Sequence, residues 1–85
     1  MSARPRPLDP ADATKLILEQ MRDVLDNPEL GEDDHFFDWG GDSILAAQVM
    51  QRLNDETGLE LAISLLFAFP SAAELSEAVI EESQA

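Results

Sequence analysis

An all-α bundle, with three main helices, one short helix and a long first loop, is the fold these 85 residues predict. Three observations carry that reading. Apolar residues recur at the three- and four-residue spacing of a helix in three separate stretches. Each stretch has start and stop residues of the right kind at its ends. One short segment apart, no run alternates apolar and polar residues as a half-buried strand does. A chain of this length buries about 60–65% of its unfolded surface on folding. That supports one small domain and leaves little room for an enclosed cleft.

The lead, residues 1–9, contains Arg4, Pro5, Arg6 and Pro7 and little apolar material, and reads as a flexible, linker-like segment. The first helix is expected over about 10–25, with Asp9 as its cap, Pro10 at its first position and Asp12 near its positive end. Ala13, Leu16, Ile17, Met21, Val24 and Leu25 form its apolar stripe, and Asp26-Asn27-Pro28 ends it. Residues 27–42, "NPELGEDDHFFDWGGD", exceed an ordinary helix–helix connection and need anchors of their own. Phe36, Phe37 and Trp39 are the expected anchors, and the loop has room for a short helical turn.

The second helix is expected from Ser43 to Thr57. Leu45, Ala46, Val49, Met50 and Leu53 share its inner face; Ile44, Ala47, Gln48, Gln51 and Asp55 share the outer one, and Gly58 stops it. Leu59, Leu61 and Ile63 alternate with other residues, but a three-residue strand has no partner here, so 59–63 reads as loop. Residues 64–68 form a short helix that stops before Pro70. The last helix opens on a capping box, Ser71 with Glu74, and buries Ala72, Leu75, Ala78 and Val79. The folded unit is thus residues 10–82, with 83–85 frayed. Phe36, Phe37, Leu45, Val49, Leu53, Leu66, Phe67, Leu75 and Val79 are the expected core.

Composition narrows the function. Five basic residues face 18 acidic ones, net −13, and none is basic after Arg52. Such a field repels nucleic acid and anionic membranes and attracts basic protein surfaces. The chain has no Cys, which excludes disulfides, thiolate catalysis and Cys-based metal sites; any thiol chemistry must use a thiol from outside. No signal core or membrane-length apolar run is present, so the cytoplasm is the expected location. His35 is the lone histidine and has no second His or Cys for a metal. The run Glu32-Asp33-Asp34 lacks the pattern of a calcium loop, and no Ser-His-Asp set or phosphate loop can be argued.

Ser43 is different. It stands at the mouth of the second helix after Gly40, Gly41 and Asp42. Capping alone accounts for an Asp-Ser pair there. The two glycines add backbone freedom and leave the hydroxyl approachable. A phosphate on that hydroxyl sits near a helix N-terminus, where backbone N–H groups favour an anion.

The string "FFDWGGDSI", Phe36 to Ile44, resembles the attachment motif of the thiolation domain, the peptidyl carrier protein of non-ribosomal peptide synthetases. In that family Phe-Phe-Asp-x-Gly-Gly is followed by His or Asp, then Ser, then Leu or Ile. The segment Leu66 to Pro70, with Ser71 where the family has Thr, extends the resemblance, which covers about residues 12–82. It implies that Ser43 receives 4′-phosphopantetheine from coenzyme A through a phosphopantetheinyl transferase with Mg²⁺. Asp42 and Gly41 then border the attachment site; Asp42 orients the site or contacts the transferase, and it can cap the helix at the same time. The resemblance makes the chain a carrier and not an enzyme. An adenylating enzyme would load it with an aminoacyl or peptidyl thioester, and condensation, epimerisation or tailoring enzymes would act on the cargo. Ile44 and, more weakly, Gln48 are the expected partner contacts. A monomer is expected, free-standing by the reading of its ends, with a domain excised from a larger chain as the alternative. The charge of −13 is closer to the acyl carriers of fatty acid and polyketide synthesis, which keeps an acyl cargo as the first alternative. An unmodified acidic helical adaptor is the alternative of another class.

Overall fold

Helix α1, Pro10–Leu25, is the element against which both α2, Ser43–Thr57, and α4, Ala72–Gln84, pack. The short α3, Ser64–Ala68, packs on α4, and a 3₁₀ turn at Phe36–Trp39 interrupts the first loop. The computed structural model describes residues 9–84, and among these no strand occurs. The lead expected at 1–9 therefore falls, Asp9 apart, outside the described residues. Helix α4 continues through Ser83 and Gln84, two residues past the expected boundary.

The apolar stripes read from the sequence meet in one core. Ile17 and Met21 of α1, Val49, Met50 and Leu53 of α2, Leu66 of α3, and Leu75 and Val79 of α4 join it. Burying each of these side chains contributes about 1.5–3 kcal/mol. Leu16, Val24, Leu25, Phe37 and Leu45 lie half-buried at its edge. The outer face of α2 is exposed at Ile44, Ala47, Gln48, Gln51 and Asp55, as the pattern predicts. The polar contact between α1 and α4 is Thr14 Oγ1 to Ser76 Oγ, 2.9 Å.

Helix ends use partly different devices from those expected. Asp9 starts α1, but its side chain makes no capping bond; only its carbonyl accepts, from the Ala13 N–H at 2.8 Å. Asp26 ends α1 by taking the left-handed conformation, φ 53 and ψ 45, with the Asn27 N–H reaching back to the Arg22 carbonyl at 2.9 Å. The proline restriction acts one residue later, on Asn27. Gly58 stops α2 at φ 74. At α4 the Ser71 hydroxyl accepts from the Glu74 N–H at 3.2 Å, and the Glu74 carboxylate accepts from that hydroxyl at 3.0 Å rather than from a backbone N–H.

Both loops are tied down by hydrogen bonds that run to neighbouring elements. Arg22 Nε donates to the Leu30 carbonyl at 2.7 Å, and the Gly31 N–H donates to Asp34 Oδ2 at 2.6 Å. The Phe36 N–H donates to the Pro70 carbonyl at 2.8 Å, and the Ala73 N–H donates to the Glu32 carbonyl at 2.9 Å. The first loop is thereby stitched to the α3–α4 junction. Residues 59–63 are loop, held by Asn54, whose side chain accepts from the Leu61 N–H at 2.7 Å and donates to the Leu61 carbonyl at 3.2 Å.

One expected core residue and one expected loop anchor are corrected. Phe67 is 49% exposed, with its ring stacked on Phe37 at 4.9 Å, because α3 is one and a half turns long and turns only Leu66 fully inward. Trp39, expected as a loop anchor, is 38% exposed and does not join the core; Phe36 anchors the loop as expected, and Leu30, also fully buried, takes the place of Trp39. Leu30 was not among the expected anchors, since one leucine in a polar loop carries no period.

We expect Leu30→Ala to cost about 2–5 kcal/mol and Phe67→Ala less than about 1.5 kcal/mol, read by equilibrium urea unfolding. Equal costs would contradict the assignment of Leu30 as the loop anchor.

Candidate functional site

Phe36 builds the approach to Ser43. Its carbonyl accepts from the N–H of Gly40 and from that of Gly41, the latter at 3.1 Å, which closes the 3₁₀ turn. Gly40 follows at φ 101, a conformation that strains any side chain. Gly41 is required for a different reason. A Cβ there would fall 2.4 Å from two ring carbons of Phe36 and 2.8 Å from its carbonyl oxygen. The sequence alone suggests that both glycines clear space beside the hydroxyl. The structure shows that Gly41 clears space for the buried phenylalanine beneath it.

Asp42 is the N-cap of α2. It holds extended backbone, φ −138 and ψ −175, and its Oδ1 accepts from the Leu45 N–H at 2.9 Å. Its carbonyl accepts the first intrahelical bond, from the Ala46 N–H at 2.8 Å. The capping alternative for Asp42 is thus realised, and it leaves Ser43 uncommitted. Ser43 is the first helical residue, exposed, and its hydroxyl has no hydrogen-bond partner among the described residues. The N–H groups of Ser43 and Ile44 have no intrahelical acceptor. An anion on Ser43 Oγ therefore meets two free donors and the positive end of a 15-residue helix.

The rim of the site is apolar on one side and acidic on the other. Ile44 is 71% exposed directly after the serine, and Gln48 lies exposed one turn along the same face. Trp39 is exposed four residues before it. Asp38 and Asp42 are also exposed, and the chain has no Lys or Arg between Arg22 and Arg52. Among the described residues no three His, Asp or Glu are grouped to hold a metal. His35 is exposed and sets its ring edge-on to Phe37 at 5.9 Å, away from any catalytic pairing.

Among the described residues, Ser43 presents an exposed, unpartnered hydroxyl at the mouth of the 15-residue α2, beside the exposed Ile44. The fold is of the carrier type. Residues 15–79 match the family model described as "phosphopantetheine attachment site", and the chain belongs to that family. Its members are not themselves catalytic and bear 4′-phosphopantetheine covalently on a serine. Among curated relatives, the chain is 43% identical over 63 residues to a dimodular nonribosomal peptide synthase of Bacillus subtilis (strain 168), covering 74% of this chain and 3% of that protein. It is 40% identical over 73 residues to bacitracin synthase 3 of Bacillus licheniformis, covering 86% of this chain and 1% of the synthase. The chain thus spans only a small part of the curated relatives it matches. Among solved structures, a free-standing peptidyl carrier protein of Acinetobacter baumannii superposes with a TM-score of 0.84 at 31% identity, covering 89% of this chain and 98% of that one. The HMG-ACPI domain of the CurA module of Lyngbya majuscula superposes with a TM-score of 0.82 at 25% identity, covering 99% of this chain and 89% of that one.

The residues around Ser43 fit the group. The hydroxyl is free, the helix mouth offers donors for a phosphodiester, and the surface leaves the rest of an arm in solvent. The role of Phe36 beneath Gly41 was missed from sequence, because an aromatic five residues before a glycine carries no periodic signal.

Gly41→Ala should cost about 3 kcal/mol or more in thermal or urea unfolding, because Phe36 must leave its place in the core. Gly40→Ala should cost about 1–2 kcal/mol through backbone strain alone. The reverse order would contradict the packing described for Gly41.

Proposed function

We propose that Ser43 is the attachment residue and that residues 10–82 act as a peptidyl carrier domain in non-ribosomal peptide or related secondary-metabolite biosynthesis. The observation that carries this reading is the exposed, unpartnered Ser43 hydroxyl at the first position of α2, with Asp42 already occupied as the cap. The identity to non-ribosomal peptide synthases supports the peptidyl cargo.

The chemistry asked of this chain is small. Ser43 Oγ attacks the β-phosphorus of coenzyme A, an Oγ–P bond forms, and the bond to the departing adenosine bisphosphate breaks. The hydroxyl proton passes to a base of the phosphopantetheinyl transferase, which also brings the Mg²⁺. Asp42 and Gly41 contribute by fixing the turn that aims Ser43 outward. The free N–H groups of Ser43 and Ile44 stabilise the new phosphodiester charge. When bound, the arm supplies the thiol this chain lacks, on which an aminoacyl or peptidyl group is held as a thioester.

Ile44 and Gln48 form the contact surface for the transferase, an adenylating enzyme and the condensation, epimerisation or tailoring enzymes that follow. The need for coenzyme A supports modification in the cytoplasm. One observation favours a second reading, an acyl carrier: the net charge of −13. Offering the modified protein to adenylating enzymes and to malonyl or acyl transferases separates the two, since exclusive loading by the latter decides for acyl cargo.

Incubation with coenzyme A, Mg²⁺ and a broad-specificity transferase should add the mass of one phosphopantetheine to the wild type and none to Ser43→Ala. An unmodified wild type, or a modified Ser43→Ala, would overturn the assignment. Ile44→Arg should lower kcat/KM for modification or loading about tenfold or more while the melting temperature stays within a few degrees, as expected for an exposed anchor. An unchanged kcat/KM would remove Ile44 from the docking surface.

A further inference from the structure

On the flank of the bundle, with no residue of the Ser43 loop or α2 in its lining, a groove of about 600 Å³ runs along α4. Its floor is apolar: Phe69, which is 38% exposed, Ala78 and Ile80. Glu77 and Glu81 stand exposed on its rim, one helical turn apart. Pro10 is part of its lining, so the groove adjoins the start of the described backbone. Among the described residues no cation pairs with Glu77 or Glu81; the ion pair among them joins Arg52 to Asp23.

The eight residues that precede Asp9 lie outside the described residues, and their sequence is MSARPRPL. They hold Arg4 and Arg6, two of the five basic residues of a chain of net charge −13, together with the apolar Leu8. We propose that the groove is the docking site of this segment: Arg4 and Arg6 pair with Glu77 and Glu81, and Leu8 covers apolar floor.

Three arguments favour this occupant. The charges are complementary, and this end of the sequence supplies both basic and apolar side chains. The spacing fits: a proline-rich strand advances about 6 Å over two residues, and a helix rises about 6 Å over four, so the two arginines and the two glutamates keep step. The tether fits as well. Eight extended residues reach about 25 Å, while Glu74 to Glu81 spans about 10 Å of helix. Attachment beside the groove gives the segment an effective concentration in the millimolar range, which a partner in solution has to exceed. Pro5 and Pro7 reduce the ordering cost. None of this involves Ser43, so the docking proposal stands or falls independently of the carrier assignment.

The test uses the full chain, labelled with ¹⁵N and ¹³C, at low salt. Wild type should show a nuclear Overhauser contact between Leu8 methyls and the Phe69 ring. R4E/R6E should lose it and shift the amides of Phe69, Ala78, Ile80 and Glu81, leaving Ser43 to Gln48 in place. E77R/E81R should lose the same contact, and the fourfold charge swap R4E/R6E/E77R/E81R should restore it. Glu77 and Glu81 are exposed, and far-UV circular dichroism checks that every variant keeps its helices. Absence of the contact in wild type, or an R4E/R6E spectrum that superposes on wild type at the groove, overturns the proposal. A doubled mass in light scattering that R4E/R6E abolishes assigns the groove to a second copy's segment and overturns the intramolecular form.

Discussion

The burial of Phe36 is the interaction on which the rest of this structure depends. Its ring lies fully in the core, beneath Gly41. Its N–H reaches the Pro70 carbonyl at the α3–α4 junction, and its carbonyl gathers the N–H groups of Gly40 and Gly41. One residue thus joins the first loop, the α3–α4 junction and the entry to α2. Its burial contributes about 1.5–3 kcal/mol, and the backbone bonds it organises add about 1 kcal/mol each. The orientation of Ser43 is a consequence of core packing relayed through two glycines and a cap.

That arrangement explains how a domain without a cleft can serve chemistry. Nothing on the surface has to recognise a small substrate. For the proposed role, the chain would need only an exposed hydroxyl, free helix donors and a surface for larger partners to grip. Asp42 satisfies the Leu45 N–H, so the hydroxyl of Ser43 is not consumed in capping. In the proposed role, the exposed Ile44 beside it would supply apolar contact, and the acidic surroundings would favour basic partner surfaces by steering.

The same acidity marks a second region of the molecule. Along α4 the exposed glutamates border an apolar groove, whereas around Ser43 the exposed aspartates border a reactive group. The two regions share no residue. A contact at one can therefore form without covering the other, which suits a carrier that has to remain accessible.

Much of this was legible in the amino-acid order. The helix spans, the short helix at 64–68 and the outer face of α2 rest on local rules: periodicity, proline and glycine stops, and residues that cap by their own chemistry; the candidate attachment motif was legible only through its resemblance to the thiolation-domain family. Leu30 as an anchor, Phe67 and Trp39 turned toward solvent, and Gly41 as the space filled by Phe36 were not legible. Each depends on what lies across a loop or beneath a turn, and loops carry no repeating signal. The sequence by itself determined which segments are helical and which serine opens the second helix behind a Gly-Gly-Asp turn. The tertiary structure alone decided which side chains hold the loop and which face outward, because those outcomes come from close packing between residues distant along the chain.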